Sequence, residues 1–546
     1  MGVRHNGDRW WDTAGAASHR WRLVTVVAVL ALGLGGCVVG PDYHAPALRL
    51  PDQWSGAAAT AAKPQLMRWW ARFKDPVLDA LMDEGATGNI DVATAQARIR
   101  QARATLRQEV GQLLPTASAA ASAQRSGRAS GGGGGQGGGG GGQGGGMDSV
   151  TTQYQAGFDA SWELDVFGAN RRAAEQASYA VGAAEADLRA TLLTLVGDVA
   201  SAYVDLRGDQ ARVALARRTA ASQRATAAMT RAKFEAGSAS AVDVANAEGQ
   251  AASTAAGIPS LEASVAIAMH RLAVLSGRSP AELDSRLKTM RAIPRPTAPV
   301  ATGVPADVLT NRPDVAKAER EFAEATAAVG KAEAARYPSL TLSGSITTSA
   351  SQIGDLAKGS SIAWSFGPAL TVPVFNGGRL AAAMEAAGAA RDQYFLAYRA
   401  AVLTALEDVE NAAVSLSKAR ARQTSLTQAV AAYRQAAELS RSLYQSGSSS
   451  FLDVLTAERS LYSAEDALLV NTAAIATDYV ALNKALGGGW DGAVDGGRPE
   501  IIDENTGPHW PRRSVPPPRR DVDRPMPPDD RQPAPPQSRR LLVGDE

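Results

Sequence analysis

The sequence predicts an α+β chain made of two copies of one unit, each a pair of amphipathic strands joined to a helix of unusual length. Three observations carry this. The chain matches itself at offsets of 208 to 223 residues. Apolar and polar residues alternate on either side of one loop in each copy. A stretch without proline then follows, from Phe167 to Gly237 and from Asn376 to Gly447. Composition agrees: 5% of residues are aromatic and 53 are glycine, which suits long, closely packed helices better than a thick globular core.

The chain opens on a leader. Arg20 and Arg22 precede "LVTVVAVLALGLGGC", an apolar run too short to span a bilayer and suited to the h-region of a signal peptide over residues 1–36. The n-region, with Trp10 and Trp11, is long for such a leader, which leaves the start codon open. Cys37 is the sole cysteine, so no intrachain disulfide forms. Leu34-Gly35-Gly36-Cys37 resembles a bacterial lipobox, in which the thiol is diacylated and cleavage leaves Cys37 as the first residue. Two or three acyl chains anchor stably where one does not. A plain secretory signal with a cysteine near its cleavage point is the alternative. Lys and Arg (56) nearly cancel Asp and Glu (55), so no overall field marks a nucleic-acid or acidic partner.

The repeat runs through the rest. "DVATAQARIRQARATLRQEVGQLLP" from Asp91 matches "DVAKAEREFAEATAAVGKAEAARYP" from Asp314 at an offset of 223. "FDASWELDVFG" from Phe158 matches "FGPALTVPVFN" from Phe366 at 208, and "TLVGDVASAYVDL" from Thr194 matches "TALEDVENAAVSL" from Thr404 at 210. That last offset also aligns "RAKFEAGSASAVDVANAE" with "RSLYQSGSSSFLDVLTAE", Leu272 with Leu482, and Gly277 with Gly487. Between Pro115 and Phe158 the offset drops by 15, and residues 131–146 there are all glycine except Gln136 and Gln143. This insert cannot bury apolar surface and is expected to be a disordered loop tip acting as a spacer.

Within each copy the first strand is signalled by residues 116–124, weakly, and by Leu340, Leu342 and Ile346 alternating with Thr341, Ser343 and Ser345. The second is signalled by Tyr154, Ala156, Phe158, Ala160, Trp162, Leu164 and Val166, and by Ile362, Trp364, Phe366, Leu370, Val372 and Val374. Strands of about ten residues cross a tilted bilayer. Four cannot close a barrel, so they come together from several chains or form a small soluble sandwich.

The helices follow. Leu188, Leu192, Leu195, Val196, Val199, Tyr203 and Leu206 recur at three and four, as do Tyr398, Val402, Ala405, Leu406, Val409, Ala413 and Leu416. Some seventy residues at 1.5 Å each make a helix about 100 Å long. Gly237 and Gly447 match the left-handed position after a helix C-terminus. Ser240 and Ser450 then suit N-caps, with Asp243 and Asp453 completing a capping box for an antiparallel return helix.

Taken together, these features resemble the TolC family of trimeric outer-membrane factors, and within it the lipidated NodT-type proteins of resistance-nodulation-division efflux systems. The resemblance rests on the lipobox followed by "VGPDYHAP", on "VPVFNGGRLAAA", on "DVLTNRPDVAKAE" and on both turn motifs, and covers about Cys37 to Gly489. It implies a homotrimer whose four strands per chain make a twelve-stranded barrel in the outer membrane, continued by a periplasmic helical barrel. It implies a passive exit duct for small toxic compounds, driven by an inner-membrane pump through a periplasmic adaptor, with type I protein secretion as the alternative. A lipid-anchored coiled-coil protein without a pore is a further alternative, which the paired strands oppose. Gly237, Ser240, Asp243, Gly447, Ser450 and Asp453 would lie at the adaptor-docking tip, and Asp453 and Asp243 at a pore constriction where a ring of carboxylates raises its own pKa values. Capping competes with that role for Asp453. The implied organisation is a lipidated segment over 37–90, a first repeat over 91–277, a connection over 278–313, a second repeat over 314–489, and a disordered Pro/Arg-rich tail over 490–546.

Catalytic chemistry has little to stand on. The five histidines (His5, His19, His44, His270, His509) are scattered, none at metal-ligand spacing, and no G-x-S-x-G, Walker or dinucleotide motif is present. No enzyme activity, cofactor, metal or nucleic-acid partner is expected.

Overall fold

The computed structural model describes residues 38–54, 67–127, 150–297, 300, 302–303 and 305–489. The expected signal peptide (1–36), Cys37, the glycine insert 131–146 and the tail from 490 lie outside these. In chain order the elements are α1 (Pro76–Gly88), α2 (Ile90–Gly111), β1 (Thr116–Gly127), β2 (Val150–Leu164), α3 (Ala169–Glu235), α4 (Ala241–Ala256), α5 (Ile258–Leu275), α6 (Asp284–Leu287), α7 (Pro305–Asn311), α8 (Pro313–Ala334), β3 (Ser339–Ala350), β4 (Ile362–Thr371), α9 (Arg379–Ser446) and α10 (Phe451–Ala485).

The two long helices have 67 and 68 residues. Each holds its predicted stripe inward: Leu188, Leu195, Val199, Tyr203 and Leu206 are buried on α3, and Tyr398, Val402, Ala405, Val409 and Leu416 on α9. Near the sheet, α2, α3, α8 and α9 lie side by side. Farther away the return helices take over, α4 and α5 on one side of α3 and α10 between α3 and α9. The largest core fills the overlap of the two layers, around Leu78, Ile99, Val199, Tyr203, Leu272 and Tyr479. The return limbs differ. α10 is unbroken, whereas Gly257 and Pro259 split its counterpart into α4 and α5, because proline lacks the N–H the helix needs there.

The two layers are tied twice by the same device. In the first copy Asn89 caps α2, its Oδ1 accepting from the N–H groups of Asp91 (2.8 Å) and Val92 (3.1 Å), while its Nδ2 donates to Leu275 O at the end of α5 (3.0 Å). In the second copy Arg312 holds that place: Nη1 donates to Ala485 O at the end of α10 (3.2 Å) and to Asp408 (2.9 Å), and Nη2 to Asp314 (2.6 Å). Burial opposes ionisation of Asp314, but the hydrogen bond and charge of Arg312, with backbone N–H groups, outweigh it and hold the carboxyl below its ordinary value of 3.8. A folded-state pKa depressed in this way stabilises fully above the unfolded value and is lost as pH falls through the folded one. Amide protection in the first turn of α8 should therefore hold from neutrality to about pH 4 and decline below it, and constant protection down to pH 2 would contradict this linkage.

The strands form one antiparallel sheet in the order β1-β2-β3-β4, so the sandwich alternative is set aside. The ladder corrects two sequence expectations. Thr116 pairs with Ser161 and Ser339 pairs with Thr371, which relates the second strands by 210 residues, not the 208 of their motif alignment. A slip of two leaves every side chain on its face, so alternation does not reveal it. The alternation through Val374 also outruns the strand. β4 ends at Thr371 because β3, its only neighbour among the described residues, begins at Ser339 directly opposite.

Candidate functional site

The sheet has one apolar and one polar face. Register puts Phe158, Ile346 and Trp364 in one row and Trp162 beside Leu342 in another, with Phe366, Leu370, Ala119 and Ala121 on the same side. Phe158, Trp364 and Phe366 are each about 70% exposed or more. The other face carries Ser118, Ser122, Gln155, Asp159, Glu163, Ser343, Ser345 and Ser365. Bare aromatic residues on one side and small hydroxyls on the other are what a barrel wall between lipid and an aqueous lumen requires.

At the far end lie the two predicted turns. Gly237 (φ 79°) and Gly447 (φ 83°) are left-handed, as the sequence anticipates. They close the helices with paired backbone bonds, Ser238 N–H to Lys233 O and Ser448 N–H to Leu443 O, both 2.8 Å. Both capping boxes are formed. Ser240 Oγ accepts from Asp243 N–H (3.1 Å) and Asp243 Oδ2 from Ser240 N–H (3.0 Å). In the second turn Asp453 Oδ2 accepts from Ser450 N–H (3.1 Å), Ser450 Oγ (2.8 Å) and Ser449 Oγ (3.2 Å). The Ser450 hydroxyl first, then its N–H and the Ser449 hydroxyl, lower the pKa of Asp453. Within one chain the shift is thus downward, opposite to that expected of a carboxylate ring. Ser450→Ala should speed amide exchange in the first turn of α10 roughly fivefold, as loss of an N-cap does, and an unchanged rate would deny the cap its role.

The turns are not equivalent. Phe451 is buried with Tyr444, Val454, Leu455, Ala227 and Ala247, which pins the second turn to the first hairpin, while its counterpart Ala241 is exposed. Above this cluster the two hairpins meet through polar groups. Glu458 accepts from Thr226 (3.0 Å) and Arg441 (2.7 Å), and Arg441 also donates to Ser222 (3.0 Å). Lys233 stacks over Tyr444 at 5.1 Å.

The segment following Cys37 is held at the opposite end of α3. Arg172, almost fully buried, donates to Val39 O (3.2 Å), Gly40 O (3.1 Å), Asp42 (2.8 Å) and Glu175 (2.7 Å). Val39 N–H reaches Phe167 O in the link between β2 and α3 (3.2 Å). Neither Arg172 nor the seam around Glu458 follows from sequence, because their partners lie 130 and 232 residues away. The tie between layers was within reach, since the offsets align Asn89 with Arg312 and Leu275 with Ala485. His270 is exposed, and among the described residues no group of His, Cys, Asp and Glu is placed to hold a metal.

An amphipathic four-stranded sheet continued by helices of this length defines a subunit of an outer-membrane channel. The sequence profile of the outer membrane efflux protein family matches residues 81–278 and 304–488, one stretch per repeat, and the chain belongs to that family. It is 36% identical over 469 residues to nodulation protein T of Rhizobium leguminosarum bv. trifolii, spanning 86% of this chain and 97% of that one. It is 31% identical over 471 residues to the toluene efflux pump outer membrane protein TtgI of Pseudomonas putida, spanning 84% and 97%. Among solved structures, the outer-membrane channel OprN superimposes with a TM-score of 0.75 at 34% identity over 83% of this chain and all of that one. The open-state MtrE outer membrane channel of Neisseria gonorrhoeae gives 0.70 at 29% identity over 83% and 98%. The protein is an outer-membrane efflux channel, with its sheet in the membrane and its helices reaching into the periplasm.

Proposed function

We propose that three copies close their sheets into a twelve-stranded barrel and their helices into a tunnel, a passive exit duct for small toxic compounds. One observation carries the reading: the wall is unclosed on both sides. Among the described residues β1 and β4 are free sheet edges, and no further long helix flanks α2 and α5 on one side or α9 on the other. Ile267 and Val274 on α5, and Leu396, Leu403, Leu439 and Leu443 on α9, are bare. A heterologous contact that buries such edges closes into a ring, and a bilayer excludes the alternative of leaving them open. The names of relatives such as TtgI favour small-molecule efflux over protein secretion.

The duct is driven by an inner-membrane resistance-nodulation-division transporter through a periplasmic adaptor, which docks at the turns Gly237–Asp243 and Gly447–Asp453. Asp453 and Asp243 cap their helices and face the constriction, and the bonds from Ser450 and Ser449 favour the ionised form of Asp453. Cys37 is lipidated after removal of residues 1–36, and the chain performs no catalysis. Purified protein in planar bilayers should show single-channel conductance, and its absence would sink the duct. Deletion should raise susceptibility to several drug classes without reducing protein export, while the reverse pattern would assign secretion. Cys37→Ser should abolish labelling by radioactive palmitate, and persistent labelling would refute the lipid anchor.

A further inference from the structure

The internal repeat also specifies how neighbouring copies meet, if the ring reading above holds. β1 and β3, both twelve residues, are related by 223. The ladder relates β2 to β4 by 210, and Gly168 and Gly378, the left-handed caps that open α3 and α9, repeat that offset independently. Among the described residues, the only strand contact between the two repeats inside one chain is β2 with β3. Carried through these offsets, it becomes a contact of β4 with the β1 of another copy. Ser161 opposite Ser343 becomes Thr371 opposite Ala120; Trp162 opposite Leu342 becomes Val372 opposite Ala119; Leu164 opposite Leu340 becomes Val374 opposite Ala117.

Closing the ring brings β4 of one copy against β1 of the next; we infer that the two pair in this register, and that Val372 to Val374 become strand only in that contact. These residues continue the alternation of β4 but lie past its last partner on β3, and Val374 is 90% exposed. Their equivalents in the first repeat, Trp162 and Leu164, are inside the ladder because β3 is there to receive them. The edge they would meet is β1, exposed along its whole length and lined on its apolar face by Ala117, Ala119, Ala121 and Ala123. Small methyl groups there leave room for the valines, a large-against-small match across the pair. Pro368 and Pro373 are an odd number of residues apart, so their missing N–H groups fall on opposite edges and the outer ladder loses one bond, not two. The motif offset of 208 would instead set Val372 opposite Ala117. Apolar patterning accepts both registers, and the ladder and the helix caps choose between them.

Cysteine cross-linking in outer membranes separates the outcomes. Directly opposed residues approach within disulfide reach, while positions two along do not, so Ala119→Cys/Val372→Cys and Ala117→Cys/Val374→Cys should cross-link between chains about tenfold faster than Ala117→Cys/Val372→Cys or Ala121→Cys/Val372→Cys. Single-cysteine chains control for Cys37, and native mass spectrometry of each variant records assembly. Preference for Ala117–Val372 would overturn this register and leave the ring intact. A trimeric mass with no cross-link in any pair would overturn the β4–β1 contact alone. A monomeric wild-type chain would overturn the ring and this inference with it.

Discussion

Gly277→Ala should lower the stability of the folded chain by about 3 kcal/mol, where Gly237→Ala costs about 1. Both glycines have a left-handed φ, 70° and 79°, so both substitutions incur the strain of placing a side chain there. They differ in space. A methyl group at Gly237 meets nothing within 4 Å, but at Gly277 it would lie 2.0 Å from Gly88 O, a backbone atom fixed by the end of α1. The clash cannot be relieved by a rotamer, only by parting α5 from α1 where the two helical layers join. Gly487, with Asn311 O at 2.5 Å, makes the same contact in the second repeat and should respond alike. Thermal loss of helical circular dichroism in detergent measures the difference. Equal melting temperatures for the two variants would show that the joint yields without cost.

Arg172→Ala should release the segment that follows Cys37. Its guanidinium is buried and makes every bond to Val39, Gly40 and Asp42 that ties this segment to α3, so truncation leaves two carbonyls without their donor. Asp42 is largely exposed and regains water, which moderates the loss to about 2–3 kcal/mol of local stability. Arg49 is already exposed, so trypsin cleavage after it waits on the backbone opening to fit the protease, and should then accelerate by roughly 30- to 150-fold. The Val39 N–H bond to Phe167, the close seating of Gly40 on Gly330, and Tyr43 with its bond to Glu319 and its edge contacts with Tyr179 and Phe322 remain, so the rest of the fold should be unaffected. Unchanged cleavage would mean that those contacts suffice without the arginine.

The parts of this fold legible in sequence are those written locally or twice. Ser240 with Asp243, and Ser450 with Asp453, state a capped turn within four residues. Period-two alternation finds the strands, and the recurrence of Leu188 through Leu206 finds the buried stripe of α3. What escapes is set by partners distant in the chain. Nothing near Thr371 says that β4 stops there, since the limit is the first residue of β3. The two-residue difference between motif and ladder is invisible to hydrophobic pattern, because both registers bury the same faces. Arg172 reads as one of many helix arginines until Val39 to Asp42 close over it, and Glu458 as a surface acid until Arg441 and Thr226 turn toward it.

The tie between layers has an evolutionary corollary. Asn89 binds the carbonyl at the end of α5, and Arg312 binds the one at the end of α10, so each repeat fastens its own first helix to its own last. The glycine contacts obey the same rule, Gly277 with Gly88 and Gly487 with Asn311. Among the described residues neither latch crosses from one repeat to the other, and the bond that does reach the end of α10 from the first half, Trp69 Nε1 to Gly488 O (3.1 Å), is of a different kind. A gene half this size would already encode a self-latching module with two complementary flanks, able to assemble as six identical pieces. Fusion then needed only a connecting segment, after which the two halves were free to diverge, one keeping an asparagine latch and an articulated return limb, the other an arginine and a rigid one.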